Sequence, residues 1–275
     1  MNRAVPVILA AVLAGALLRL PDLAVRPMHT DEAVHAVKFG TLLESGDYRY
    51  DPHEYHGPTL NYLTLIPVWL SDTHRYADLE EWHLRIVPAV CGILLLALFL
   101  LFEPHRARWP MWAAVLAAVS PAMVFYSRYY IQEMLLVFFT LGLVAGMYRY
   151  MINRRPFWVI VTGVSAGLMF ATKETSIITF GVVGAACIAV WLIQRKPGMK
   201  TVLPGASHWL IAGGAMVIVI VVFFSSFGRN PQGVPDAFGA AAPRASHGEG
   251  QSAKRSSSAE VAFAGSRSAG SVKAS

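Results

Sequence analysis

The chain has 275 residues, 55% of them hydrophobic and 15% charged, with a mean hydropathy of +0.47, which excludes a water-soluble globule and points to a polytopic membrane protein. The formal charge of +6 comes from Lys and Arg gathered in short loops and near the C-terminus, so nucleic acid is not the expected partner.

Residues 4–20 form the first apolar run. Arg3 precedes it and no convincing small-residue cleavage site follows, so it reads as an uncleaved anchor rather than a signal peptide. The stretch 21–83 then holds 11 of the 17 acidic residues and six of the nine histidines. Within it, His29-Thr-Asp-Glu-Ala-Val-His-Ala-Val-Lys38 predicts an amphipathic helix at the membrane surface. Thr30 can cap it and Asp31 complements its N-terminal dipole. Asp31, His35 and Lys38 share one face with Glu32 alongside, while Val34, Val37 and Leu42 lie largely on another. Next, Tyr50-Asp-Pro-His-Glu-Tyr-His-Gly-Pro-Thr59 crowds His53, Glu54 and His56 into a turn-rich segment. It lacks a close Cys/His set or an HExxH spacing, so polar loop histidines are the plainer reading than structural zinc. Residues 57–70 are apolar but only 14 long and interrupted by Pro58 and Pro67, which suits a re-entrant or interfacial element.

Six further apolar runs follow at 84–102, 109–126, 131–151, 157–172, 175–193 and 209–227, giving about seven spans in all. Cys91 and Cys187 lie inside these runs as small hydrophobes and imply no disulfide framework. If 57–70 does not cross, Arg106, Arg108, Arg154, Arg155, Arg195, Lys196 and Lys200 share the side of Arg3, the cytoplasm. If it crosses, the acidic stretch 72–81 moves inside and the pattern breaks. The first arrangement puts 21–83 outside as one large loop, joined on that face by two short links, 127–132 and Lys173–Glu174. Residues 239–275 differ from all before them: Ala, Gly and Ser supply 24 of the 37. They read either as a disordered extracytoplasmic tail or as sequence out of frame, and carry no assigned function.

Paired carboxylates such as Asp31 and Glu32 at a membrane surface can activate a hydroxyl or hold a divalent cation; a capped, solvated interfacial helix is the plain alternative. Snorkelling and aromatic-belt anchoring account for Arg128, Tyr129 and Tyr130. Glu133 and Glu174 at the edge of the hydrocarbon are costly unless paired or watered, which makes both site candidates. Arg128 or Lys173 could pair with them or bind a lipid phosphate.

Taken together, DEAVHAVKFGTLLESGDYRYDPHEYHGPTLNYL, an arginine opening the next span, SPAMVFYSRYYIQE and MFATKETS resemble the GT-C superfamily of membrane glycosyltransferases. Within it the residues from 19 to 238 are most similar to the protein-mannosyltransferase-like branch that includes the archaeal flippase-activity-associated proteins. The resemblance implies a GT-C-like transmembrane helix bundle over 1–238 that takes a mannose-like hexose from a polyprenyl or dolichyl phosphate to an extracytoplasmic acceptor, without a nucleotide-sugar site. It implies Asp31 as general base or as an orienter of acceptor or metal, with Glu32 beside it and Glu133 as second acid. His56, Arg85, Arg128 and Lys173 become candidates for the carrier phosphate, and His35, Lys38, Glu54 and Glu174 further site candidates. A Mg or Mn ion would fall to Asp31, Glu32 and Glu133. Members of the superfamily are generally longer, so the resemblance also implies a truncated chain. The competing readings are a flippase or flippase-associated protein that binds a lipid-linked sugar without cleaving it, an inactive N-terminal fragment, and a purely structural membrane protein.

Overall fold

Within a bilayer a backbone has no water to bond, so apolar segments satisfy their own N–H and C=O groups as helices. The computed structural model describes residues 4–46, 48, 50, 56–103, 107–194 and 204–241, and among these the regular structure is helical with no strand. Every expected apolar run is helical: α1 (Ala4–Arg19), with α2 (Thr30–Ser45) and α3 (Thr59–Leu70) in the loop 21–83, then α4 (Glu81–Leu98), α5 (Trp109–Val119), α6 (Pro121–Ser127), α7 (Glu133–Asn153), α8 (Pro156–Phe170), α9 (Ser176–Gln194) and α10 (Ala206–Phe224). A short α11 (Gly233–Ala241) follows.

The seven expected runs are all helical, one of them as the two helices α5 and α6, but the expected count of seven spans holds only in part. Among the described residues four stretches are long and apolar enough to cross a membrane, namely Glu81–Phe102, Glu133–Asn153, Ser176–Ile193 and Ala206–Phe224. A fifth is the pair α5 and α6, bent by 64° at Ser120 and Pro121. Proline at the first position of α6 lacks the N–H that would continue α5, and the Ser120 hydroxyl accepts the Met123 N–H instead. Helices α1 and α8 have 16 and 15 residues, roughly 24 and 22 Å, less than the hydrocarbon thickness of about 30 Å. Helix α3, with 12 residues and Pro67 inside it, is shorter still and suits the non-crossing element expected at 57–70.

The core is a row of helices. α1 packs between α5 and α4, α4 against α7, α7 against α8 and α8 against α10. The last contact is backbone-close, since a Cβ at Gly163 would collide with the Ala212 carbonyl. Phe39, Leu60, Leu84, Leu96, Met134, Leu135 and Met169 fill the interior where α2 and α3 cap the row. The loop 21–83 is also tied to the end of α10: the Ser226 hydroxyl donates to the Tyr48 carbonyl (2.7 Å), Arg229 to that of Gly46 (3.0 Å), and the Tyr62 ring meets Phe227 at 4.9 Å.

Candidate active site

Helix α2 starts one residue earlier than its sequence suggests. His29, not Thr30, is the N-cap: its Nδ1 accepts the Asp31 N–H at 3.4 Å, and the Glu32 carboxylate reaches back to the His29 N–H at 3.1 Å. This reciprocal cap works because Glu32 is three residues past the N-cap, where a side chain can return to it. It also turns Glu32 inward and leaves Asp31 outside.

The two neighbouring acids therefore have opposite environments. Glu32 is wholly buried and takes five hydrogen bonds: from Arg85 Nε (2.8 Å) and Nη2 (2.9 Å), Arg26 Nη2 (2.9 Å), Tyr130 N–H (2.9 Å) and His29 N–H. Burial alone pushes its acidity toward the neutral form. The bonds and charge of Arg85 with the two backbone N–H groups outweigh that and hold the carboxyl below its usual range. Asp31 keeps 66% of its side chain exposed. The Tyr129 hydroxyl donates to its Oδ2 at 3.4 Å, and His29 Nδ1 lies 3.6 Å from the same oxygen. Burial first, then the charges of Asp31 and Glu32, raise the Tyr129 hydroxyl above its usual range and keep it a donor.

An open cleft of about 280 Å³ lies beside Asp31, lined by Asp31, Val34, His35, His56, Ile131, Gln132 and Glu133. The rings of His35 and His56 are 5.2 Å apart, and the Gln132 amide donates to His35 Nδ1 at 3.4 Å. Burial, with the nearby charge of His56 and Lys38, lowers His35 to about 4 against the pull of Glu133 and Asp31. His56 is delivered by backbone pairing: it bridges to Lys173, while the Gly57 and Thr59 N–H groups donate to the carbonyls of Thr172 (3.1 Å) and Ala171 (3.2 Å). The approach is so close that a Cβ on Gly57 would collide with the Ala171 carbonyl. Lys173 Nζ in turn meets Glu133 Oε1 at 2.6 Å.

Of the residues expected from the sequence, Asp31, His35, His56 and Glu133 thus line one cleft, with Lys173 joined to it through Glu133. Arg85 does not reach it. Its remaining donors go to the carbonyls of Leu23 (2.7 Å), Arg26 (2.7 Å) and Pro27 (3.4 Å), so the guanidinium is spent on the protein. Arg128 is likewise turned to carbonyls at the end of α1. Glu174 accepts the Tyr50 hydroxyl at 3.1 Å, Lys38 is half-buried one turn beyond His35, and Glu54 lies outside the described residues. Asp31, Glu32 and Glu133 do not fit a Mg or Mn ion. Glu32 faces two guanidinium groups, Glu133 is paired with Lys173, and no group of three potential metal ligands occurs among the described residues.

Tyr129 and Tyr130 are not membrane-belt anchors, because both are buried in protein, and the Tyr130 hydroxyl meets Thr64 Oγ1 at 3.0 Å. Arg26 and Gln132 go beyond the expected set. A cation six residues before Glu32, and an amide beside Glu133 in the link 127–132, are the only sequence signals for them.

Comparison with known proteins gives the family of the chain from residue 57 onward, downstream of α2. Residues 57–228 match the family model described as dolichyl-phosphate-mannose-protein mannosyltransferase. Protein O-mannosyl-transferase 1 of Rattus norvegicus is 27% identical over 163 residues, and that of Mus musculus 28% over 166. Each alignment covers 55% of this chain and 22% of the relative, so the chain spans about a fifth of their length. The structure of the S. cerevisiae protein O-mannosyltransferase Pmt1-Pmt2 complex bound to the sugar donor superposes with a TM-score of 0.62 at 19% identity. That superposition covers 85% of this chain and 34% of that one, and establishes the shared helical membrane fold.

Proposed function

Because the chain belongs to the dolichyl-phosphate-mannose-protein mannosyltransferase family, we propose that it moves a mannose-like hexose from a polyprenyl or dolichyl phosphate to a hydroxyl of an extracytoplasmic protein acceptor. The observation that carries this reading is the division of labour between the two adjacent acids. Glu32 is held as a carboxylate by five donors and cannot accept a proton cheaply, whereas Asp31 is exposed and lightly held at the mouth of a polar cleft.

In this mechanism Asp31 takes the acceptor proton as the acceptor oxygen attacks the anomeric carbon, and the bond from that carbon to the carrier phosphate breaks with its electrons on the phosphate. Lys173 and His56, adjacent through their backbone bridge, supply the cationic and hydrogen-bonding groups for the departing phosphate. Glu133 holds Lys173 until the carrier arrives, and with Gln132 and His35 offers polar contacts for sugar hydroxyls. Glu32, Arg85 and Arg26 form the buried scaffold that aims α2. On the topology expected from loop charge the N-terminus is cytoplasmic and the cleft extracytoplasmic, since Arg154 and Arg155 follow α7 at the end opposite Glu133.

The test is transfer of labelled mannose from dolichyl-phosphate mannose to a Ser/Thr peptide by the purified chain, with GDP-mannose in parallel. Transfer from the lipid donor alone is expected. Carrier binding with no sugar release would instead support the flippase-associated reading, and transfer from GDP-mannose would contradict the proposal.

A further inference from the structure

The link between α6 and α7 supplies three contacts to α2: the Tyr129 hydroxyl to Asp31, the Tyr130 N–H to Glu32 and the Gln132 amide to His35. The buried Tyr130, with its hydroxyl on Thr64, anchors the middle of the link, and its start is held by Arg128. The last carbonyls of a helix have no donor within the helix and must find one elsewhere. At the end of α1 those of Leu18, Arg19 and Pro21 accept from Arg128 Nη1 (3.3, 3.3 and 2.6 Å), and that of Asp22 from Nη2 (3.2 Å). The reverse contact is also present. Arg19, the last residue of α1 and wholly buried, donates through Nη2 and Nη1 to the carbonyls of Ala117 (2.9 Å) and Ala118 (3.0 Å) near the end of α5, and through Nε to the Ser127 hydroxyl (3.0 Å). The two arginines thus exchange helix ends, and the Arg128 carbonyl accepts from Arg26, one of the donors to Glu32.

We infer that Arg128 is a positioning residue that fastens the link 127–132 to the carboxyl end of α1 and so sets the contacts of the link to Asp31, Glu32 and His35. Its effect on turnover rests on the transferase reading above; its effect on the link does not. A planar guanidinium can serve several carbonyls at once, where a lysine ammonium is a single point of charge. A role as phosphate ligand would instead be met in part by any cation.

The experiment uses the full chain in lipid nanodiscs, as wild type, Arg128→Lys and Arg128→Ala. Hydrogen exchange is followed at residues 127–132, and kcat and KM are measured with dolichyl-phosphate mannose. Exchange at the Tyr130 amide is expected to quicken by about tenfold in both variants. A displaced contact to the base lowers kcat by about tenfold or more, while KM for the carrier stays within about twofold. The proposal is overturned if exchange is unchanged, or if Arg128→Ala raises KM at constant kcat and Arg128→Lys restores it. Should Arg128→Ala not fold, Arg128→Lys, which keeps the charge and most of the volume, decides. If the wild type shows no turnover, the transferase reading fails and exchange alone still judges the positioning role.

Discussion

Replacing Arg85 by leucine removes two charge-assisted bonds from Glu32 and leaves the carbonyls of Leu23, Arg26 and Pro27 without the donor they share. The pair is fully buried, with side-chain exposures of 1% and 0%. Breaking such a pair by deleting one partner typically costs about 3–5 kcal/mol, because the surviving charge has no water to fall back on. The lower end applies here, since Arg26 and two backbone N–H groups still face the carboxylate. About 3 kcal/mol corresponds to roughly a hundredfold change in the folded-to-unfolded ratio. The assay is denaturant unfolding of the detergent-solubilised chain, with Arg85→Leu, Glu32→Leu and the double variant. The double variant is expected to lose less than the sum of the singles, because neither charge is then left alone. Unchanged unfolding of Arg85→Leu, combined with a raised KM for the carrier, would refute this reasoning and return Arg85 to the role of phosphate ligand.

Acid should destabilise the chain through His35. Its proton leaves at about 4 in the folded chain but near 6.5 in an unfolded one, so the unfolded state binds the proton first as pH falls. Stability is expected to drop between about pH 6.5 and 4, by up to about 3 kcal/mol, and to be flat for this group above that window. His35→Gln should flatten the slope, and an unaltered slope in that variant would contradict the assignment. Gly57→Ala is expected to push the His56 segment off the Ala171 carbonyl and weaken binding of dolichyl-phosphate mannose by tenfold or more, an order of magnitude set by displacing one backbone anchor. Wild-type binding by that variant would show that His56 does not serve the phosphate.

The helices were legible because apolar length is a strong signal in a membrane chain, and the proline-interrupted segment at 57–70 holds a helix of only 12 residues. The spans were less legible: residues counted into 157–172 include the turn at Ala171 and Thr172 that receives the Gly57 segment. At the site, the helical spacing of Asp31 and His35 and the cost of Glu133 at the hydrocarbon edge pointed to residues that line the cleft, but the fate of Glu32 and Arg85 could not be read locally. They are 53 positions apart, and only the tertiary fold brings them together. A buried pair and a surface pair of carboxylate and arginine look alike in sequence, so Arg85 resembles a phosphate ligand until its donors are counted. Tyr129 and Tyr130 carry the same ambiguity, because an outward-facing aromatic pair at a span end and an inward-facing one have the same spacing.

The most direct measurement is turnover of dolichyl-phosphate mannose by Asp31→Asn, with the unfolding midpoint and carrier Kd of the same sample. Loss of a general base lowers turnover by about 10²–10⁴-fold, and because Asp31 is exposed the midpoint and Kd should stay near wild type. Turnover within a few-fold of wild type would contradict the assignment of the proton to Asp31.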